Sequence, residues 1–307
     1  MMYLGFDTSN YTTSVAAFDG VGGINCSRLL PVAQGQLGLR QSDALFHHVR
    51  QLPELVAELK AKLGSFEIAA VGASTRPRAV EDSYMPCFLA GAGQGRNLAA
   101  LLDVPFTEVS HQQGHIAAAL WSAGRLDLMK TPHLAWHLSG GTTELLLVTP
   151  DGRNVNAQKI GGTTDISAGQ LIDRTGQLLQ LAFPSGKAVD ALSGESACRE
   201  CYRVKLDGLQ FSFSGLQNKV QRFREAGADE ADTARYCLNC IVSCIAAVTR
   251  AALAQYPDFP VVFSGGVASN SLLRARCAEF RPVFAEPQFS TDNAMGVAIL
   301  TYLQEGR

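Results

Sequence analysis

Charge is scarce in this 307-residue chain: Lys, Arg, Asp and Glu make up 18% of it, and 26 basic against 28 acidic residues leave a net charge of −2. No whole-molecule positive field draws in nucleic acid, so an RNA substrate requires a local basic patch or a partner protein. No apolar run approaches the roughly 20 residues that span a bilayer. The N-terminal MMYLGFDTSN lacks the basic stretch that precedes the apolar core of a secretory leader. A cytoplasmic protein without membrane association is expected. Two phosphate-binding fingerprints are missing as well: the chain has no P-loop with its Gly-Lys-Ser/Thr, and no G-x-G-x-x-G after its first strand.

Cysteine is not scarce. Of eight, four form two C-x-x-C pairs, Cys198/Cys201 and Cys237/Cys240, and Cys244 extends the second along one helix face. In a cytosolic chain these are reduced thiols rather than a disulfide framework. A shared zinc or iron–sulfur site is one reading, although zinc ribbons separate their pairs by about 15–20 residues. Small buried hydrophobes are the other.

The length allows two domains with substantial cores. YLGFDTSNYTTSVAAFDG and HLAWHLSGGTTELLLVTPDG echo each other. Each is an apolar strand, a small polar turn and a second apolar strand, closing on Asp19–Gly20 and Asp151–Gly152. Asp-Gly tolerates the positive φ of tight hairpin turns, so both read as β-hairpins. Coincidence between two ordinary hairpins is one reading of the echo; duplicated α/β domains, each opening with a hairpin, are the stronger one. Helical spacing follows over 42–63, and IAAVGAS reads as a buried strand. Further helices are expected at CFLAGAGQGRNLAALLDV, SAGQLIDRTGQLLQLA, ARYCLNCIVSCIAAVTRAALAQY and FSTDNAMGVAILTYLQ. Alternating strands and helices argue a sheet covered on both faces. The expected domains are 1–125 and 130–290, with the last helix, 291–307, packing back on the first.

Three small-residue turns are candidate anion sites: HLSGGTTE (Ser139, Gly140, Gly141, Thr142, Thr143), KIGGTTD (Gly161–Asp165) and FSGGVASN (Ser264–Asn270, with Gly265 and Gly266). Glycine lets backbone N–H groups approach an anion, and the third turn also opens a helix. Hairpins and strand–helix turns use glycine without any ligand.

In EVSHQQGHIAAAL, His111 and His115 stand four apart on a helical run, the spacing by which two imidazoles share a metal. A hydrogen-bonded surface pair has the same spacing. Gln112 occupies the place of the glutamate in H-E-x-x-H, which argues against zinc-protease chemistry. His137 lies at the foot of the HLSGG turn. By spacing alone, Asp292 and Asn270 read as helix N-caps.

HQQGH, HLSGGTTEL, GQLIDRTGQLLQLAFPSG, FSFSGLQNKV, SGGVASNSLLR and STDNAM, in this order, resemble the tRNA threonylcarbamoyladenosine biosynthesis transferase family, once misnamed O-sialoglycoprotein endopeptidases. The resemblance implies the duplicated α/β fold of the sugar kinase/heat-shock chaperone/actin superfamily. It implies one divalent metal ion (zinc, iron or magnesium) held by His111, His115 and Asp292, with His137 where some members have a metal-binding tyrosine. It places Leu138, Ser139, Gly140, Gly141 and Thr142 on the phosphate and acyl group, Ser139–Gly141 serving catalysis. Asp173, Gly186 and Asp190 fall on the ribose and its neighbourhood, and Asn270 on the adenine. The implied reaction moves a threonylcarbamoyl group from threonylcarbamoyl-adenylate to the N6 amine of a tRNA adenosine, with partner proteins supplying RNA affinity and a homo- or heterodimer as the working form.

The chain departs from the family where Cys-Asp-Glu-Thr in the first hairpin turn becomes Asn10, Tyr11, Thr12 and Thr13. A Gly-Pro-Gly-Leu loop becomes TRPRAVEDSYMP, with Arg76 and Arg78. These departures mark a divergent paralogue. They leave a non-catalytic nucleotide-binding subunit as the alternative to the enzyme, and a metallopeptidase as the weaker one.

Overall fold

The structure is a computed structural model that describes every residue except 10, 32–38, 290–292 and 307. By internal contacts the chain forms two compact units. The first comprises Met1–Thr131, Thr149–Ala157 and Asp292–Arg307; the second comprises Pro132–Val148 and Gln158–Thr291.

The first unit opens with β1 (Met2–Thr8), β2 (Thr12–Phe18) and β3 (Gly23–Leu29). It continues through α1 (Gln41–Leu63), β4 (Ile68–Arg76), α2 (Phe88–Leu102), β5 (Phe106–Ser110) and α3 (His111–Ser122). Its sheet runs β3-β2-β1-β4-β5, with β1, β2 and β3 antiparallel in turn and β4 and β5 joined in parallel. All seven residues of β2 are buried, as suits a strand with a neighbour on each side. α1 buries Ala44, His48, Leu52, Leu55 and Leu59, one face of a 3.6-residue period.

The second unit begins with β6 (His133–Leu138) and holds most of β7 (Thr143–Asp151) and the latter part of β8 (Asn154–Thr163), followed by α4 (Ala168–Leu178) and α5 (Gly186–Ser193). Short strands β9 (Leu206–Asp207) and β10 (Gln210–Phe211) lead into α6 (Ser214–Glu225) and α7 (Glu230–Gln255). Then come β11 (Val261–Ser264), α8 (Ser271–Cys277) and β12 (Val283–Phe284). The sheet order is β12-β11-β6-β7-β8-β10-β9. With the two-residue strands β9 and β10 set aside, the order third-second-first-fourth-fifth recurs in both sheets, so the echo between the two hairpins extends to the topology of the halves.

The closing helix α9 (Met295–Glu305) belongs to the first unit. Its seat is glycine. A Cβ on Gly5 would lie 2.5 Å from Ala298 N, and one on Gly72 2.0 Å from Thr301 Oγ1. Where α9 meets α3, a Cβ on Gly296 would lie 1.8 Å from the Gly114 carbonyl oxygen. α9 starts at Met295 with Ala294 at the capping position; Asp292, where the sequence suggested an N-cap, lies outside the described residues.

α7 goes beyond the sequence expectation about apolar runs. Among the described residues it is the one helix long and apolar enough to cross a membrane. Yet 61% of its most apolar window is buried within the protein, and its side chains form much of the second unit's core. That is the composition of a central core helix.

Candidate functional site

In the first unit the site is built on the end of β1 and the start of α3. Ser110 caps α3 through a reciprocal box, its hydroxyl accepting from Gln113 N while the Gln113 side chain accepts from Ser110 N. Such a cap is worth about 1 kcal/mol and fixes where the helix starts. His111 is therefore the first helical residue, and His115 stands one turn on. The two imidazoles meet edge to face, Nε2 to Nε2 at 2.9 Å.

Behind His111 stands Asp7, a residue to which no sequence motif pointed. It is 1% exposed, and its carboxylate oxygens lie 3.0 and 3.1 Å from His111 Nδ1. The Ser74 hydroxyl donates to the same carboxylate. A carboxylate only accepts, so the Asp7 contact places the His111 proton on Nδ1 and leaves the Nε2 lone pair facing His115. This is the tautomer an Nε2-ligated metal requires, and carboxylate-backed histidines are the usual supports of metal ligands. The pair therefore fits two positions of a divalent-metal site. Among the described residues no group of three or more His, Cys, Asp or Glu side chains could hold the ion alone, and Asp292 lies outside them.

Asp7 interrupts an otherwise apolar strand, MYLGFDT, and that interruption was its only sequence signal. The first hairpin turn is shorter than expected: β2 begins at Thr12, and Thr12 and Thr13 are buried strand residues. The Thr13 hydroxyl contacts His48 Nδ1 at 2.8 Å and donates to Gln51 Oε1 at 2.6 Å, tying the hairpin to α1. Burial pushes the His48 imidazole down to about 4, so it is neutral at neutral pH. Of the two loop arginines, Arg78 has its backbone N–H on Ser83 Oγ. Asn10 lies outside the described residues.

In the second unit, the Ser139–Thr142 turn closes the β6–β7 hairpin. Ser139 N–H donates to Thr142 O at 2.8 Å, and Thr142 N–H to Ser139 Oγ at 3.1 Å. Ser167, the capping residue of α4, donates its hydroxyl to Gly140 O at 2.6 Å. Gly169 lets α4 come this close, since a Cβ there would lie 2.5 Å from Ser139 O. Gly140 and Gly141 themselves are different. Neither has a positive φ, and a Cβ on either would meet nothing within 4 Å. No crowding within the chain explains these two glycines, and what they leave is bare backbone facing open space.

The same test sorts the other glycines. Gly186 and Gly266 also face open space. Gly265 has φ +92°, and its Cβ would lie 2.1 Å from Leu138 O, so the fold alone demands it. The KIGGTTD turn is a correction: Gly161 and Gly162 lie inside β8, pressed against Leu209 and Thr143, and the chain turns only after Thr163. Asp165 then occupies that bend. Burial works to raise its carboxyl, but hydrogen bonds from Ser212, Phe213 N–H and Ser214 win and hold it ionised well below the usual carboxylate range. A fixed negative charge there disfavours a phosphate.

The remaining second-unit candidates are each held by a hydrogen bond. Asp173 Oδ1 accepts from Ser185 N–H at 2.8 Å, just before Gly186 opens α5. Asp190, on α5, accepts from Asn270 Nδ2 and Ser271 Oγ, both at 2.8 Å. Asn270 Oδ1 also caps α8 by accepting from Leu273 N–H at 3.0 Å. The cap expected from the sequence is therefore present. His137, on β6, has Nδ1 at 3.4 Å from Ser264 Oγ.

Known proteins share the fold that carries these residues. Component A of the (R)-2-hydroxyglutaryl-CoA dehydratase of Acidaminococcus fermentans superposes with a TM-score of 0.57 at 15% identity, each chain fully covered. A ROK family glucokinase from Streptomyces griseus, solved with glucose and AMPPNP, gives 0.53 at 13% over 98% of this chain and 99% of the other. Full-length HypF in its phosphate- and nucleotide-bound form gives 0.60 at 13%, over 98% of this chain and 46% of that one. At these identities the likeness shows the fold, that of the sugar kinase/heat-shock chaperone/actin superfamily. Residues 36–299 match the model of the TsaD family, tRNA N6-adenosine threonylcarbamoyltransferase, and with most of its length inside that match the chain belongs to this family.

Proposed function

We propose that this protein is a nucleotide-using, metal-dependent transferase that moves a threonylcarbamoyl group from threonylcarbamoyl-adenylate to the N6 amine of adenosine in tRNA. The observation that carries the reading is the Asp7–His111–His115 chain, in a member of a family with that activity. His111 and His115, with Asp292, would hold the divalent ion. When bound, the ion supplies Lewis-acid charge to the mixed anhydride.

The chain's own groups do the rest. The bare backbone of Gly140 and Gly141, in the Ser139–Gly141 turn, offers N–H donors to the negative charge that builds as the amine attacks the carbamoyl carbon and AMP leaves. Gly186 and Gly266 leave room for the nucleotide. Asp173 and Asp190 line the ribose, their geometry held by Ser185, Asn270 and Ser271. With a net charge of −2, tRNA affinity comes from partner proteins rather than from this chain alone.

The test supplies the purified chain, with its partner proteins where needed, with threonylcarbamoyl-adenylate and unmodified tRNA, and follows modified adenosine by mass spectrometry. Modification that falls at least a hundredfold in His111→Ala supports the reading. Adenine-nucleotide binding without any transfer favours the alternative, a non-catalytic nucleotide-binding subunit whose lost hairpin acids no longer support chemistry. Peptide cleavage dependent on His111 would revive the metallopeptidase.

A further inference from the structure

The C-x-x-C pairs take no part in the site above. α7 carries Cys237, Cys240 and Cys244 at i, i+3 and i+7, all buried. Residues 196–205, which have no regular structure, run along that helix. Asn239 Nδ2 holds them by donating to the carbonyls of Cys198 at 3.1 Å and Glu200 at 3.2 Å. The Cys201 thiol donates to Asn239 O at 3.6 Å, and the next amide, Tyr202 N–H, donates to Cys240 Sγ at 3.0 Å. Cys201 thus sits on the carbonyl of the residue before Cys240, and Cys240 on the amide of the residue after Cys201, which sets the two thiols side by side.

One of these thiols is open to solvent and the other is fully buried. Cys237 is engaged elsewhere, accepting from Thr175 Oγ1 at 3.2 Å. Among the described residues no cluster of three metal-ligating side chains forms, so the zinc or iron–sulfur reading of the motif has no geometry to support it. What the fold assembles is a dithiol.

We propose that Cys201 and Cys240 are a reversible oxidation site, closed to a disulfide by a hydroperoxide. The exposed Cys201 sulfur attacks one peroxide oxygen; the O–O bond breaks, a water leaves, and Cys201 becomes a sulfenic acid. Cys240 then gives up its proton and attacks that sulfur; the S–S bond forms, the S–O bond breaks, and a second water leaves. Two thiols lose two electrons, and one hydrogen peroxide becomes two waters. Burial pushes the Cys240 thiol well up, and Tyr202 N–H opposes that only in part. A high-pKa sulfur is a poor leaving group, so a reductant attacking the exposed Cys201 sulfur expels Cys240 slowly. Once formed, the bond persists and pins residues 196–205 against α7. The proposal does not depend on the transferase reading, since it uses none of that site's residues.

The test treats the reduced full-length protein with a small excess of hydrogen peroxide, alkylates the remaining thiols after unfolding, and maps disulfides by peptide mass spectrometry. The expected result is a Cys201–Cys240 cross-linked peptide as the main oxidised species. In Cys240→Ala the expected result is a Cys201 sulfenic acid trapped by dimedone. In Cys201→Ser, an exposed substitution that leaves the core intact, Cys240 should stay fully alkylatable. A Cys198–Cys201 disulfide instead, or oxidation that spares Cys201 while other cysteines react, would overturn the proposal. So would thiols that react only after a chelator strips bound zinc.

Discussion

At the scale of single residues, the decisive features are side chains whose partners lie far away in sequence. Asp7 meets His111 across 104 positions, and Thr13 meets His48 across 35. The histidine pair was legible because helical spacing is local. The carboxylate behind it was not, because a lone Asp in an apolar strand does not say which residue it will face. His48 yields a prediction in pH. Its neutral buried form titrates at about 4 against 6.5 when exposed, so the unfolded state binds the extra proton between those values. Its contribution to stability is complete above pH 6.5 and fades as pH falls toward 4, by up to about 3 kcal/mol. Urea unfolding at pH 7 and pH 4.5 should show this loss, and His48→Gln should flatten the pH dependence. An equal slope in the variant would assign the acid sensitivity to other groups.

The glycines divide at the same scale. Gly169→Ala drives a methyl into the Ser139–Gly140 backbone and should cost about 1–3 kcal/mol in denaturant unfolding. Gly140→Ala meets no atom of the chain and should leave stability within about 0.5 kcal/mol. It should nonetheless weaken adenylate binding by about tenfold, or ~1.4 kcal/mol, in calorimetric titration. Unchanged affinity would mean that the bare turn does not face the ligand.

At the scale of elements, helices announced themselves by period, and the structure adds their caps. α1 spans Gln41–Leu63 where 42–63 was expected, and α3 and α4 each begin behind a Ser–Gln capping box. Short or glycine-bearing segments were less legible. KIGGTTD reads locally as a turn, but tertiary pairing with β10 keeps Gly161 and Gly162 in a strand. The seat of α9 was invisible too, because a close approach is written as glycine on both partners and neither names the other. Gly296→Ala should show its weight: a Cβ 1.8 Å from the Gly114 carbonyl forces α9 off α3, at a cost of roughly 3 kcal/mol, visible as a drop of several degrees in thermal unfolding. An unchanged midpoint would mean that the helix can shift freely.

At the scale of the whole molecule, duplication was the most readable property. Two hairpins with matching turns predicted two halves of one design, and the shared strand order bears this out. The same fold is seen in solved structures at 13–15% identity. Net charge speaks at this scale as well. A chain at −2 should bind tRNA only weakly by itself, with a Kd of roughly 1–100 µM at physiological salt in filter binding. Nanomolar binding by the isolated chain would locate a basic surface that the overall charge conceals.

The central claim is that Asp7, His111 and His115 form a metal seat, and metal analysis tests it most directly. The measurement compares the metal content of the purified wild-type chain with that of His111→Ala, with Asp7→Asn alongside. The expected result is about one divalent ion per wild-type chain, its loss in His111→Ala, and an affinity weakened roughly 10- to 100-fold in Asp7→Asn. Equal metal content in the wild type and His111→Ala would contradict the claim and leave the pair as two hydrogen-bonded histidines at the start of a helix.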